Sequence, residues 1–185
     1  KIRRTATSMI ITISGKAGSG KSTVAKLLAK KLNLKHYSIG DIMRDMAQKK
    51  GLTLLELNKK AETDKSIDED LDSRLKKLGK DEKNFVIDGR LTAFFIPKAK
   101  LKIFLDADEM VRGRRIFNDK REDERNLTFE KTLENINKRE DSERKRYKKY
   151  YKVDYADKKL YDIVVDTNNK SIEKVVKEIL KKVKK

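Results

Sequence analysis

Residues 9–23, MIITISGKAGSGKST, decide how the rest of the chain is read. Gly15 to Ser22, GKAGSGKS, fits G-x-x-x-x-G-K-[ST], the pattern of a loop that wraps phosphates. That pattern needs a strand before it and a helix after it. MIITIS is a short, β-rich apolar run, and KSTVAKLLAKKLNL spaces Val24, Leu27, Leu28 and Leu32 at helical intervals. Both requirements are met. The N–H groups of Gly18, Ser19, Gly20 and Lys21 can point inward at phosphate oxygens, helped by the positive end of the helix behind them. Lys21 would reach the β- and γ-phosphates of ATP, and the Ser22 hydroxyl would ligate Mg²⁺. Gly15, Lys16, Ala17 and Thr23 complete the stretch expected around the triphosphate.

Working outward, LKHYSI before Gly40 reads as a second strand. Three helical patterns follow, DIMRDMAQKKG, TLLELNKKAET and SIDEDLDSRLKKLGK, the last with Ser66 as a plausible cap. NFVIDG and LKIFLDA are apolar runs ending in an acid, as buried parallel strands do, and Pro97 falls between them. A helix from about Asp108, a long one from Thr128 to about Tyr151, the strand YDIVVDT and the amphipathic SIEKVVKEILKKVKK close the chain. The expectation is an α/β fold of the P-loop NTPase type: a five-stranded parallel sheet with helices on both faces. The charge-rich NDKREDERN suggests a short lid at about 117–128.

The chain has 185 residues, the size of one domain, and is 37% hydrophobic and 42% charged. It contains no cysteine, which excludes a disulfide framework or a cysteine-based zinc site and suits the cytoplasm. No run approaches the ~20 apolar residues of a membrane span. KIRRTATS has the basic start of a signal peptide, but the apolar run after it ends at Ser14. Met9 reads as the natural start, leaving residues 1–8 as a leader and 9–185 as a single domain. The net charge of +18 fits a nucleic-acid surface or a lysine coat over a dedicated anion site. Eight of the thirteen arginines fall between Arg112 and Arg146, and arginine's planar fork suits bidentate phosphate contacts, so the second reading is preferred. Binding to nucleic acid is not required.

The remaining candidates lie at the ends of strands and on the later helices. Ser38, Asp41 and Arg44 bracket a helix start that could seat a phosphate group. Asp88 ends an apolar strand where an acid would help Ser22 hold Mg²⁺. Arg90 follows at once, a costly placement unless an anion meets it. Arg139 and Arg146 are seven apart on one helix face, beside Glu140 and Glu143, a pattern that intrahelical salt bridges would explain equally well. Arg112 and Arg115 sit one turn apart on the preceding helix, so arginines from both sides could close on a transferring phosphoryl group. His36 sits inside a strand pattern and reads as structural.

SGKAGSGKST, YSIGDIMR, VIDGRL, PKAKLKIFLDADEMVRGR and REDSERKRY, in that order, resemble the nucleoside monophosphate kinases. Within them the likeness is greatest to the short cytidylate kinase family found in archaea, and it runs from Met9 to about Thr167. The resemblance implies ATP at Gly15–Thr23 and an acceptor, CMP or dCMP, around Ser38, Asp41, Arg44, Asp88, Arg90, Arg139 and Arg146. It implies a nucleotide-binding helical segment at about 38–80 and phosphoryl-directed arginines among Arg112, Arg115, Arg121, Arg125 and Arg139. Leu91 stands where bacterial relatives carry an acid, so base recognition does not carry over. The loop itself leaves other acceptors (UMP, AMP, a small metabolite) open. GKAGSGKS is also similar to the GKGGxGK[ST] loop of partition ATPases, in which an early lysine like Lys16 crosses a dimer to the partner's phosphates. The expectation is a monomer acting on small nucleotide substrates.

Overall fold

The computed structural model describes residues 8–119 and 127–183. Its centre is the strand on which the sequence reading turned. Strand β1 (Met9–Gly15) runs between β3 (Asn84–Asp88) and β4 (Leu101–Asp106), with β2 (Lys35–Ser38) and β5 (Ile163–Asp166) outside them. The sheet order is β2-β3-β1-β4-β5, and every pairing is parallel. Ile13 registers with Asp88 on one side and Ile103 on the other. The chain leaves β1 where the strand order divides, and in such sheets ligands bind in the crevice at the strands' carboxyl ends.

Alternating side chains sort the sheet's two faces. Ile11, Ile13, Val86, Ile103, Leu105 and Val165 pack with α1 (Lys21–Leu32) and α8 (Ile172–Val183). The other face carries Ile10, Phe85, Ile87 and Phe104. Leu75 of α4 (Ser66–Asp81) covers the first three, and Tyr147 of α7 (Phe129–Tyr151) covers Phe104. Helices therefore lie on both faces. Among the described residues no helix is long and apolar enough to cross a membrane.

Between β2 and β3, α2 (Ile39–Lys49), α3 (Leu54–Lys60) and α4 build a second small core from Met43, Met46, Leu54, Leu57, Ile67 and Leu71. This helical segment stands on its own apolar contacts, so it can form one wall of a crevice without being part of the sheet. Thr53 and Glu56 start α3 with a reciprocal capping box. Ser66 does not cap α4. Its hydroxyl donates to Asp64 in the turn before the helix, and Lys65 holds the cap position without a side-chain bond. A one-turn helix, α5 (Thr92–Phe95), precedes Pro97. Helix α6 (Glu109–Asn118) and α7 flank residues 120–126, so the lid arginines Arg121 and Arg125 lie outside the described residues.

Candidate active site

The loop between β1 and α1 is held open by backbone geometry. Gly18 and Gly20 have φ of 75° and 89°, which side chains disfavour, and a Cβ on Gly18 would stand 2.5 Å from the Arg112 carbonyl oxygen. The loop therefore lies directly on α6. Arg112 fastens it there, donating to the Ala17 carbonyl at 3.0 Å and to Ala107, while pairing with Glu140 of α7. Arg112 is 3% exposed and does not line the cavity that the loop faces. Expected to close on a phosphoryl group, this side chain is here engaged beneath the loop, by Ala17, Ala107 and Glu140. Helical spacing put Arg112 and Arg115 on one face as expected, but that face meets the loop.

The cavity, of about 570 Å³, runs across the carboxyl end of the sheet. One wall is residues 17–24 of the loop and first turn of α1. Arg44 from α2, Arg90 after β3 and Arg139 from α7 stand in the others, and Arg115, Thr167 and Ile172 also line it, the first two reaching the loop's Gly18 and Ser19 carbonyls. Lys21 donates to the Lys16 carbonyl at 2.6 Å. Burial drives its pKa well below the ordinary lysine value, and the neighbouring Arg90 and Arg139 cations push the same way against Asp88 and Glu143. A buried ammonium between two guanidinium groups is a place where an anion is wanted.

The arginines are aimed by acids, Arg44 and Arg139 by acids of their own helices and Arg90 by one from α7. Arg90 donates through Nε to Glu143 at 2.7 Å and through one terminal nitrogen to the Gly15 carbonyl at 3.3 Å. Its other terminal nitrogen is buried without a hydrogen bond. Arg139 holds the second oxygen of the same Glu143 at 3.0 Å. Burial would raise the Glu143 carboxyl, but Arg90 and Arg139 outweigh it and hold the pKa at about 2. Arg44 is steadied by Asp41 at 2.9 Å and keeps a buried Nε without a hydrogen bond. Buried arginine N–H groups are costly to leave unmet, so two of them at one cavity mark an anion site.

Asp88 gathers the other polar groups. It accepts from Ser22 at 2.8 Å and Ser38 at 3.1 Å, and His36 Nε2 lies 2.7 Å from its second oxygen. Ser38 also caps α2 by accepting from the Asp41 N–H. Ser38 and Asp41 stand behind the cavity wall; neither lines it. Gly15 and Lys16 sit at the foot of the loop, where Lys16 lies 3.9 Å from Glu140 with its side chain partly exposed. Arg115 lines the cavity but is tied to the Thr167 carbonyl at 2.5 Å and hydroxyl at 3.0 Å. Arg146, expected beside the acceptor, is 2% exposed and lies under the wall, bonded to the Asn58 carbonyl at 3.0 Å and paired with Asp68.

Sequence reasoning missed Asn58, Asp68, Asp72 and Tyr147 as lining groups, and it gave His36 no link to Asp88. The i,i+4 pair Arg139–Glu143 was visible in REDSER, but not that Glu143 also reaches Arg90. Tyr147 near the end of α7 and Tyr155 just after it pack, buried with Leu91 and Phe104.

Residues 10–169 match the model of the cytidylate kinase-like family. A cytidylate kinase of Sulfurisphaera tokodaii is 41% identical over 172 residues, 92% of this chain and 93% of the relative. One from Archaeoglobus fulgidus is 42% identical over 175 residues, covering 95% and 94%. Among solved structures, a shikimate kinase from Aquifex aeolicus superposes with a TM-score of 0.57 at 25% identity, over 95% of this chain and 96% of its own.

Proposed function

The chain belongs to the cytidylate kinase-like family, and from that premise we propose that it transfers the γ-phosphoryl group of ATP to the phosphate of a nucleoside monophosphate, CMP above all, giving CDP and ADP. The observation that carries the reading is the convergence of Arg44, Arg90 and Arg139 on the cavity that Lys21 and the glycine loop enter from the other side. Two anions brought face to face need this arrangement, and ATP hydrolysis alone does not.

The acceptor is a phosphate monoester whose second pKa is about 6, so its oxygen is ionised at neutral pH and no general base is needed. That oxygen attacks the γ-phosphorus in line, the bond to the β-phosphate oxygen breaks, and the electrons leave with ADP. The loop N–H groups and Lys21 hold the triphosphate. Arg90 and Arg44 hold the acceptor, and Arg139, on the same acid as Arg90, neutralises charge where the two phosphates meet. Ser22 and Asp88, already 2.8 Å apart, suit Mg²⁺, which when bound supplies charge neutralisation on the β- and γ-phosphates. This reading has no need of nucleic acid, since Arg90 and Arg112 beside the loop are engaged inside the molecule.

The test is ADP formation, followed by a coupled assay, with CMP, dCMP, UMP and AMP offered in turn. CMP-dependent turnover is expected. ADP released at the same rate with no acceptor present overturns the reading in favour of an ATPase switch.

A further inference from the structure

The cavity wall away from the phosphate groups holds an acid that is not used up. Asp68 on α4 is 3% exposed and lines the cavity. Arg146 Nε stands 3.0 Å from its Oδ2 as an ion pair, yet that N–H is not aimed along the contact. Neither Asp68 Oδ2 nor Arg146 Nε makes a hydrogen bond. The neighbouring polar groups are committed. Both terminal nitrogens of Arg146 go to Asn58, the Asn58 amide nitrogen goes to Leu54, and Asp72 accepts from the Tyr151 hydroxyl at 2.5 Å. Around the acid the wall is apolar, made by Met43, Leu71, Leu75 and Phe95, which suits a flat ring with one fixed polar edge.

Its distance from the phosphate groups fits that use. Arg139 and Arg146 are two turns apart on α7, about 10 Å along the axis. Asp68, paired with Arg146, therefore lies about as far from Arg139 as the far edge of a nucleobase lies from its own 5′-phosphate. Burial lifts the Asp68 carboxyl to about 6 while Arg146 pulls the other way, so the group is largely ionised at neutral pH. An ionised carboxylate has acceptor capacity only.

We propose that Asp68 is the specificity-determining residue for the acceptor base, its carboxylate accepting through Oδ1, the oxygen not closed off by Arg146, a hydrogen bond from the exocyclic 4-amino group of cytosine. The inference rests on the kinase reading above, because it needs the acceptor's phosphate held by Arg90 and Arg44, with Arg139 beside it. Carboxylates pair with that amino group because it donates. Uracil carries a carbonyl oxygen at the same place, so two acceptors would face each other in a dry slot. Sites built to satisfy a polar group reject the analogue that leaves it unmet.

Titration calorimetry tests this on the protein as it stands, with CMP, UMP and the ribonucleotide of 2-pyrimidinone, which is cytosine without its amino group. UMP and the 2-pyrimidinone nucleotide are expected to bind about 10- to 100-fold more weakly than CMP. Asp68→Asn, whose amide both donates and accepts, narrows the gap between CMP and UMP and leaves ATP affinity unchanged. If CMP binds and the amine-free nucleotide binds equally well, the assignment of Asp68 is overturned and the kinase reading stands. Equal weakening of all three nucleotides by Asp68→Asn overturns it too, since that is the mark of a purely structural acid. If no mononucleotide binds at all, the kinase reading falls and takes this inference with it.

Discussion

The two sides of the cavity are built from different material. On the loop side, one contiguous stretch, residues 17–24, lines the cavity, and the torsions of two glycines shape its backbone. On the arginine side, α2, the end of β3 and α7 each contribute one guanidinium, and Glu143 aligns two of them. Backbone needs only local sequence to take its shape. A side-chain cradle needs distant elements to arrive in register, and each buried charge costs desolvation that its partner must offset. The loop side is thus cheap to specify, and the arginine side is exposed to damage from far away.

Substitutions can break or sharpen this contrast. Lys21→Ala has the largest expected effect: it removes the one side chain by which the loop reaches the outer phosphates, and ADP formation falls to background. Arg112→Ala comes next, and it acts on stability. The buried Glu140 loses its partner and the loop its strut, for a loss of about 3–5 kcal/mol in urea denaturation. Were Arg112→Ala instead fully stable but inactive, the side chain would belong with the phosphates after all.

Arg139→Ala should lower kcat about 100-fold while ATP affinity by calorimetry barely moves, because this arginine serves the meeting point and not the triphosphate. Full turnover in that variant would remove α7 from the chemistry. His36→Ala is the smallest of the set. With one of its three side-chain partners gone, Asp88 is less firmly placed, and the Mg²⁺ concentration that half-saturates ATP binding should rise about tenfold. An unchanged Mg²⁺ dependence would make His36 a packing residue.

Legibility followed the same division. The strand, loop and helix around GKAGSGKST were readable because their signals are contiguous, and β3, β4 and β5 because apolar runs ending in an acid announce themselves. Arg90 drew attention because a charge directly after a buried strand is costly without an anion, and it does line the cavity, with Glu143 as its anion. The arginines of the later helices were harder. Arg112 and Arg115 share a helical face, yet one lies under the loop and the other lines the cavity. Ser66 had the chemistry of a cap, but Asp64 competed for it two residues earlier.

What the sequence determined by itself was the sheet, the phosphate loop at its carboxyl edge and the presence of many arginines to meet anions. Only the tertiary structure decided which acid each arginine keeps. In an isolated helix Glu143 would pair with Arg139 alone, and it takes Arg90 as well because the chain folds back to bring together two residues 53 positions apart. Asp68 looks like any surface acid of a charged helix until α7 packs over it and removes the water. An ion pair's destination is set by which surfaces lose solvent together, and that is a property of the assembled molecule.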